Sequence, residues 1–80
     1  MKITYSRAAV KVINSMDSAT KQRIKAGIEK LPEGDIKPLQ GSKGSYRLRV
    51  GNWRILFSYP ERDTILIEKI GLRGGVYKGV

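Results

Sequence analysis

The 80-residue chain contains no cysteine and no histidine. Without cysteine, neither a disulfide framework nor a thiolate zinc site can form. Without histidine, the commonest general base and metal ligand in proteins is missing. Only seven carboxylates are present, and they are scattered along the chain. Since hard metal ions need several clustered oxygen ligands, we expect no metal site and no cofactor.

The sequence also lacks a long apolar run. We therefore expect neither a transmembrane helix nor a signal peptide, and a cytoplasmic protein that makes no use of a membrane. Eighty residues are too few for two domains. The prediction is a single domain, 1–80, of modest stability, because so small a chain buries only about 60–65% of its unfolded surface.

What the chain has in excess is positive charge. Lysine and arginine total 16 against seven acidic residues, which gives a formal net charge of +9. Each half of the chain carries eight of the basic residues, so the charge is not confined to a tail. Such a surface predicts a polyanionic partner, either nucleic acid or an acidic protein. A solvated basic surface that aids solubility is the alternative.

Two short helices are predicted after a first strand at residues 2–5. Ser6 can cap the first helix, and Asp17 or Ser18 can cap the second. Both helices carry apolar residues at helical spacing: Ala9, Val12, Ile13 and Met16 in the first, and Ile24, Ile28 and Leu31 in the second. Because almost nothing separates the helices, we expect an αα-hairpin packed on a sheet.

Residues 46–59 alternate apolar and polar residues on both sides of Gly51-Asn52. This pattern predicts a β-hairpin with a two-residue loop, which fixes the pairing of the strands. The apolar pairs would be Val50 with Trp53, Leu48 with Ile55, and Tyr46 with Phe57. On the other face, Arg49 would oppose Arg54. Like charges placed opposite each other destabilise a sheet, so this face is predicted to bind an anion.

The remaining segments complete the predicted order β-α-α-β-β-β. Residues 35–44 are predicted as an extended linker with turns, residues 60–63 as a turn, and residues 64–70 as a third hairpin-connected strand. Helices followed by an antiparallel run indicate an α+β domain with the helical pair on one face of the sheet. The face that carries Arg47, Arg49 and Arg54 would stay open.

Three segments make the chain resemble the RelE/ParE superfamily of bacterial toxins from toxin–antitoxin modules, with RelE-type mRNA interferases the better match. They are Lys37-Pro-Leu-Gln-Gly41, Tyr46-Arg-Leu-Arg-Val-Gly-Asn-Trp-Arg54 and Ile70-Gly-Leu-Arg-Gly-Gly-Val-Tyr77. Each segment alone is a weak signal, but their order and spacing after a strand and two helices are specific. The fold of that family is the one predicted above.

The resemblance implies a ribosome-dependent endoribonuclease that cuts messenger RNA in the decoding site by metal-independent attack of the 2′-hydroxyl. Matched by motif, the implied catalytic residues are Arg49, Arg54, Arg73 and Tyr77, and Arg47 anchors the substrate. Lys37 and Lys43 in the linker are further candidate RNA contacts, with solvated side chains as the alternative. The implied partners are the ribosome, mRNA and a cognate antitoxin with an acidic binding segment, the toxin being monomeric or part of a hetero-oligomer.

The chain departs from the family pattern at two places. Leu72 stands where many relatives have histidine or lysine, and arginine occupies positions 47 and 49 where many have lysine. Arginine stays protonated in proteins, so neither arginine serves as an ordinary general base. Other roles remain open for Tyr77, which could pack on the sheet edge, and for Arg54, which could pair with Glu68.

Two other functions share the predicted fold. A ParE-like protein would inhibit DNA gyrase and cut nothing, and a relic would only bind its antitoxin. Fold alone does not separate them. The basic second and third strands together with the tail arginine and tyrosine favour the nuclease, because an inhibitor has no need of them.

Overall fold

The computed structural model describes residues 2–39 and 44–72, and all statements below concern those residues. The elements are β1 (Lys2–Tyr5), α1 (Arg7–Asn14), α2 (Ser18–Glu29), β2 (Asp35–Pro38), β3 (Ser45–Val50), β4 (Trp53–Glu61) and β5 (Thr64–Leu72). The strands form one sheet in the order β1-β5-β4-β3-β2. β1 runs parallel to β5, and all other neighbours are antiparallel. The predicted α+β class is confirmed.

Both helices begin at the predicted caps. The Ser6 hydroxyl accepts a hydrogen bond from the Ala9 amide at 3.0 Å, which satisfies a first-turn donor of α1. Asp17, rather than Ser18, caps α2, and its carboxylate accepts from the Thr20 amide at 3.1 Å and the Thr20 hydroxyl at 2.7 Å. These hydrogen bonds, chiefly the one from the Thr20 side chain, lower the pKa of Asp17.

The helices pack on one face of the sheet and enclose an aliphatic core. Its buried members are Ala9, Ile13, Ile24, Ile28, Leu31, Leu48, Ile55, Phe57, Ile65, Ile67 and Ile70. Met16 lies beyond the end of α1 but still packs against this core, as its place in the predicted apolar stripe requires. Tyr5 lies at the margin, where partial burial, and then the Glu29 carboxylate, raise the pKa of its hydroxyl. Most of the apolar surface of the two helices is thereby removed from water, although Val10 of α1 stays exposed.

The β3–β4 hairpin has the predicted register throughout. Val50 pairs with Trp53, Leu48 with Ile55 and Tyr46 with Phe57. Gly51 has φ of 59° in the turn, a left-handed conformation that glycine adopts without steric cost. Because side chains alternate between the faces of a strand, this register directs the apolar residues to the helices and the arginines away from them.

The prediction for residues 35–44 was wrong in its first part. Asp35–Pro38 forms the edge strand β2, so the sheet has five strands rather than four. Ile36 lies opposite Leu48 and packs against the core, which anchors the strand. Pro38 is tolerated because β2 is at the edge of the sheet. The predicted turn at 60–63 is also shorter, since β4 continues to Glu61.

A β-bulge interrupts the pairing of β4 with β5. Leu56 pairs with Lys69, whereas Phe57 pairs with Ile67, so Glu68 has no direct partner on β4. Ser6 holds the bulge from the other side. Its amide donates to the Ile67 carbonyl at 2.9 Å and its hydroxyl donates to the Glu68 carbonyl at 2.7 Å. The residue that caps α1 therefore also fixes the backbone of β5.

Helix α2 approaches the hairpin closely at Gly27. A Cβ atom at this position would lie 2.8 Å from Cγ2 of Val50. Valine is β-branched and has little rotamer freedom, so it cannot easily swing away. Glycine at position 27 is therefore required by packing, although it lowers the helix propensity of α2.

We predict that Gly27→Ala lowers the free energy of unfolding by up to about 2 kcal/mol. The overpacking penalty of about 1–3 kcal/mol exceeds the gain in helix propensity of about 1 kcal/mol. Urea unfolding followed by circular dichroism measures the change. Ala26→Gly, at an exposed neighbouring position, measures the effect of helix propensity alone. A double variant that combines Gly27→Ala with Val50→Ala should recover part of the stability lost to overpacking. A more stable Gly27→Ala protein would show that α2 does not need this close approach.

Candidate nucleic-acid interface

The face of the sheet opposite the helices collects cations from four adjacent strands. We call it the basic face, and its described cations are Lys37 of β2, Arg47 and Arg49 of β3, Arg54 of β4 and Lys69 of β5. Their common orientation follows from the strand pairing, because residues directly opposite each other share a face. The structure thus brings together four of the seven residues singled out from the sequence. Lys43, Arg73 and Tyr77 lie outside the described residues.

Arg49 and Arg54 lie directly opposite each other on β3 and β4, as predicted. Arg49 is exposed and Arg54 is half-buried. Cross-strand partners have Cβ atoms about 4.5–5.5 Å apart, so the two guanidinium groups can converge on one small anion. Like charges at this spacing destabilise the sheet by up to about 1 kcal/mol, and a bound anion would remove that cost.

Backbone carbonyls of the hairpin turn hold the guanidinium of Arg54. Its Nη1 donates to the carbonyl of Gly51 at 3.2 Å and to that of Trp53 at 3.1 Å. The part of the chain that the structure describes offers no other hydrogen-bond partner to this side chain, and no ion pair with Glu68. Gly71, not Glu68, lies opposite Arg54 on β5. The edge formed by Nε and Nη2 therefore remains for bidentate contact with a phosphate.

Arg47 has a carboxylate partner that the sequence alone did not reveal. Its Nη2 lies 3.7 Å from Oδ1 of Asp35, the one ion pair among residues 2–39 and 44–72. The Arg47 side chain is 13% exposed and that of Asp35 52%. A pair open to solvent on one side contributes about 0–1 kcal/mol. Arg47 is thus held in place, with part of its charge already compensated.

Two further residues were missed as members of this surface, and a third basic residue, Arg23, was missed beside the hairpin turn. Lys69 and Glu68 both come to the basic face through the bulge in β5. Arg23 extends from α2 over the hairpin turn, where a Cβ on Gly51 would lie 2.8 Å from its Nη2. The heavy content of basic residues in α2 was the only sequence signal for Arg23. The sequence contained no indication of the bulge, because the pattern of residues 64–70 is that of a regular strand.

A shallow pocket of about 280 Å³ opens on the basic face. It is lined by Leu39, Ser45, Leu56, Glu68 and Lys69. Leu56 is only 2% exposed although it faces away from the helices, and it lies between Arg47 and Lys69 in the sheet. The basic face therefore has an apolar depression with polar groups at its rim.

The described part of the chain shows no cluster of three or more residues suited to hold a metal ion. None of the described helices has the length and apolar character needed to cross a membrane. The cations of the basic face are guanidinium and ammonium groups. Such groups bind phosphate and stabilise negative charge that develops on it.

The fold is that of the RelE toxins. The structure superposes on RelE in the RelB-RelE antitoxin-toxin complex from Methanococcus jannaschii with a TM-score of 0.74 and 28% sequence identity, covering 92% of this chain and 94% of that one. The isolated E. coli RelE toxin has the same fold, with a TM-score of 0.71 over 95% of this chain and 89% of that one, at 18% identity.

Sequence comparison gives the family as well as the fold. The chain is 31% identical over 85 residues to the toxin RelE3 of Methanocaldococcus jannaschii, and the match covers 96% of both chains. No family model matches the sequence. The chain belongs to the RelE family of toxins from toxin–antitoxin systems, which confirms the resemblance seen in its three motif segments.

We predict that Asp35→Asn strengthens the binding of short single-stranded RNA by about two- to fivefold at low salt. The substitution releases Arg47 from its carboxylate partner, whose contribution is about 0–1 kcal/mol, and should change the free energy of unfolding by no more than that. Fluorescence anisotropy measures the affinity. Asp63→Asn removes the same charge at an exposed turn and should have the smaller effect. Equal effects of the two variants would mean that only net charge matters.

Proposed function

We propose that this toxin is a ribosome-dependent endoribonuclease that cuts messenger RNA without a metal ion, and so acts in the cytoplasm. The observation that carries the proposal is the Arg49–Arg54 pair on the open face of the sheet, with Arg54 anchored to the turn through Nη1 alone. Two opposed arginines, on a face that none of the described elements covers, suit a phosphate diester. Membership of the RelE family supports a ribonuclease activity of a general kind.

Cleavage would use the RNA's own 2′-hydroxyl. The 2′-oxygen attacks the adjacent phosphorus, its proton passes to an acceptor, and the bond from phosphorus to the 5′-oxygen breaks. The leaving 5′-oxygen takes up a proton, which leaves a 2′,3′-cyclic phosphate and a 5′-hydroxyl. Arginine stays protonated, so its contribution is to stabilise the charge that builds up on the phosphate oxygens. Electrostatic stabilisation of this kind commonly supplies the greater part of an enzyme's rate enhancement.

The candidate residues would take different roles in binding and cleavage. Arg54 and Arg73 would hold the scissile phosphate together with Arg49, and Tyr77 would orient a base or move a proton.

Arg47 is nearly buried and paired with Asp35, which suits an anchor for the RNA backbone. Lys37 is exposed opposite Arg47, where it can contact an adjacent phosphate, and Lys43 would extend that contact.

The ribosome would supply what the chain lacks. No histidine is present to act as a proton acceptor near neutral pH. Holding a reactive conformation of the RNA in place can provide several kcal/mol of the catalytic effect. A toxin with cationic groups but a weak proton acceptor therefore depends on a partner that orients the 2′-hydroxyl in line with the leaving oxygen.

A gyrase inhibitor with this fold remains the rival function. The described arginines of β3 and β4 favour the nuclease, because an inhibitor that only occupies gyrase does not need opposed cations on an open sheet. Induction of the toxin in bacteria, followed by primer extension on an abundant transcript, separates the two. Cleavage at in-frame positions supports the nuclease, and filamentation with DNA damage and intact mRNA supports the inhibitor.

The sharpest test of the site compares two arginine variants. We predict that Arg54→Ala lowers the single-turnover rate of mRNA cleavage on the ribosome by about 10²-fold or more. Arg62→Ala, which removes the same charge at the exposed β4–β5 turn, should keep nearly the full rate. Arg54→Lys should recover only part of the loss, since an ammonium group lacks the bidentate fork.

Ribosome affinity should change little in either variant, because each removes one of 16 basic charges. Thermal unfolding of Arg54→Ala must be compared with wild type, since the variant loses two hydrogen bonds to the turn. If Arg54→Ala and Arg62→Ala cleave at the same rate, Arg54 has no role in catalysis.

We further propose an antitoxin partner with an acidic segment, as the RelB-RelE complexes of related toxins suggest. An excess of nine positive charges and an open basic face would attract such a segment. Affinity capture from the native host at low salt should return a small acidic protein whose binding weakens only in part as salt rises, because apolar contacts also contribute. Failure to recover any small acidic protein would count against this partner.

A further inference from the structure

We propose that the pocket beside the bulge in β5 binds a nucleobase of the RNA and prefers bases that carry an exocyclic amino group over uracil. The proposal rests on the proposed function, because it assigns a base-reading role to the same face that would hold the phosphate. The chemistry comes from Glu68 and Lys69, a carboxylate and an ammonium group on adjacent residues at the pocket rim.

The bulge is what places both side chains at the pocket. Ile67 and Ile70 both belong to the core on the helix side of the sheet. In a regular strand, one of the two residues between them would face the helices. The bulge instead leaves Glu68 without a partner and sets Lys69 opposite Leu56. Bulges recur beside functional sites, where they redirect side chains.

The bulge is held firmly. Ser6 donates hydrogen bonds to the carbonyl of Ile67 at 2.9 Å and to that of Glu68 at 2.7 Å. Within the described residues, the Glu68 carboxylate has neither a hydrogen-bond partner nor an ion pair. The backbone is thus fixed while the carboxylate remains available, which is the arrangement that a recognition group requires.

The size and lining of the pocket suit one planar heterocycle. Its volume of about 280 Å³ is at the lower limit of ligand pockets, which hold drug-sized molecules from about 300 Å³ upward. Leu39 and Leu56 supply apolar surface for a ring. Single-stranded RNA offers such rings because its bases can turn out of the stack.

The pocket also lies at a suitable distance from the arginine pair. Leu56 follows Arg54 by two residues on β4, and both face away from the helices. Two residues of a strand span about 7 Å, which matches the reach from a phosphate to the base of its own nucleotide. A nucleotide with its phosphate at Arg49 and Arg54 can therefore place its base over Leu56.

The polar rim complements only some bases. A carboxylate accepts hydrogen bonds from the amino groups of cytosine, adenine or guanine. The adjacent ammonium group donates to a ring nitrogen or carbonyl oxygen of the same base. Uracil has no amino group, and its single ring donor on this edge, N3–H, lies between two carbonyl oxygens that would meet the negative charge of Glu68. The expected result is discrimination against uracil at one position of the RNA.

Binding is tested first without the ribosome. The four ribonucleoside 5′-monophosphates are titrated into the full-length protein, and chemical shifts of the Leu39 and Leu56 methyl groups are followed by NMR. The phosphate contribution is common to all four, so differences report the base. We expect the adenine, cytosine and guanine nucleotides to bind about fivefold or more tightly than the uridine nucleotide. Equal affinities would overturn the proposal.

Variants connect the preference to Glu68. Glu68→Gln should reduce the difference between the amino-bearing nucleotides and the uridine nucleotide to less than about twofold, because an amide can also donate to a carbonyl oxygen. Glu61→Gln removes the same charge at an exposed position at the end of β4 and should keep the wild-type preference. Identical behaviour of the two variants would overturn the proposal.

Cleavage on the ribosome provides a separate readout. Glu68→Gln should change the relative rates at codons that differ in one base. A uniform loss of rate with unchanged base preference would overturn the proposal and identify Glu68 as a proton acceptor instead. Should the protein cut no RNA at all, the proposed nuclease fails, but base-selective binding lost only in Glu68→Gln would still support the pocket.

Discussion

The register of the β3–β4 hairpin is the constraint on which the rest of the molecule depends. Gly51 and Asn52 allow only one pairing of the two strands, and that pairing sends Leu48, Ile55 and Phe57 to the helices. The same pairing sends the arginines to the opposite face. A slip of one residue would exchange the two faces completely, burying arginine and exposing the core. The same strand register therefore determines both the stability of the domain and the formation of its basic face.

The sequence alone predicted those parts of the fold that depend on interactions between residues close in the chain. Ser6 and Asp17 have the side chains that cap helices, and a two-residue turn with Gly51 fixes a hairpin, so these features were predictable without the structure. The opposition of Arg49 and Arg54 followed from the hairpin alone. This explains why the arginine pair of the candidate site could be predicted from the sequence.

Features that depend on pairing between strands distant in the chain could not be predicted from the sequence. Asp35–Pro38 has too few alternating residues to indicate a strand, and only the packing of Ile36 against the core makes it one. The ion pair between Arg47 and Asp35 could not be anticipated without that strand. The bulge at Glu68 lies directly after the last pair of β1 with β5, Tyr5 with Ile67, and nothing in the sequence of β5 indicated it.

Ser6 is subject to three requirements at once. It directly follows β1, its hydroxyl caps α1, and its hydroxyl and amide bind the carbonyls of the bulge. Only a small side chain that both donates and accepts a hydrogen bond meets all three, so in a collection of random variants this position should tolerate threonine and little else. Alanine or glycine would keep the amide bond to Ile67 but lose both bonds of the hydroxyl, which would loosen the first turn of α1 and the bend in β5 together. In such variants, the rates of amide hydrogen exchange in the first turn of α1 and at the bulge in β5 should therefore rise together, although the two segments are far apart in the sequence.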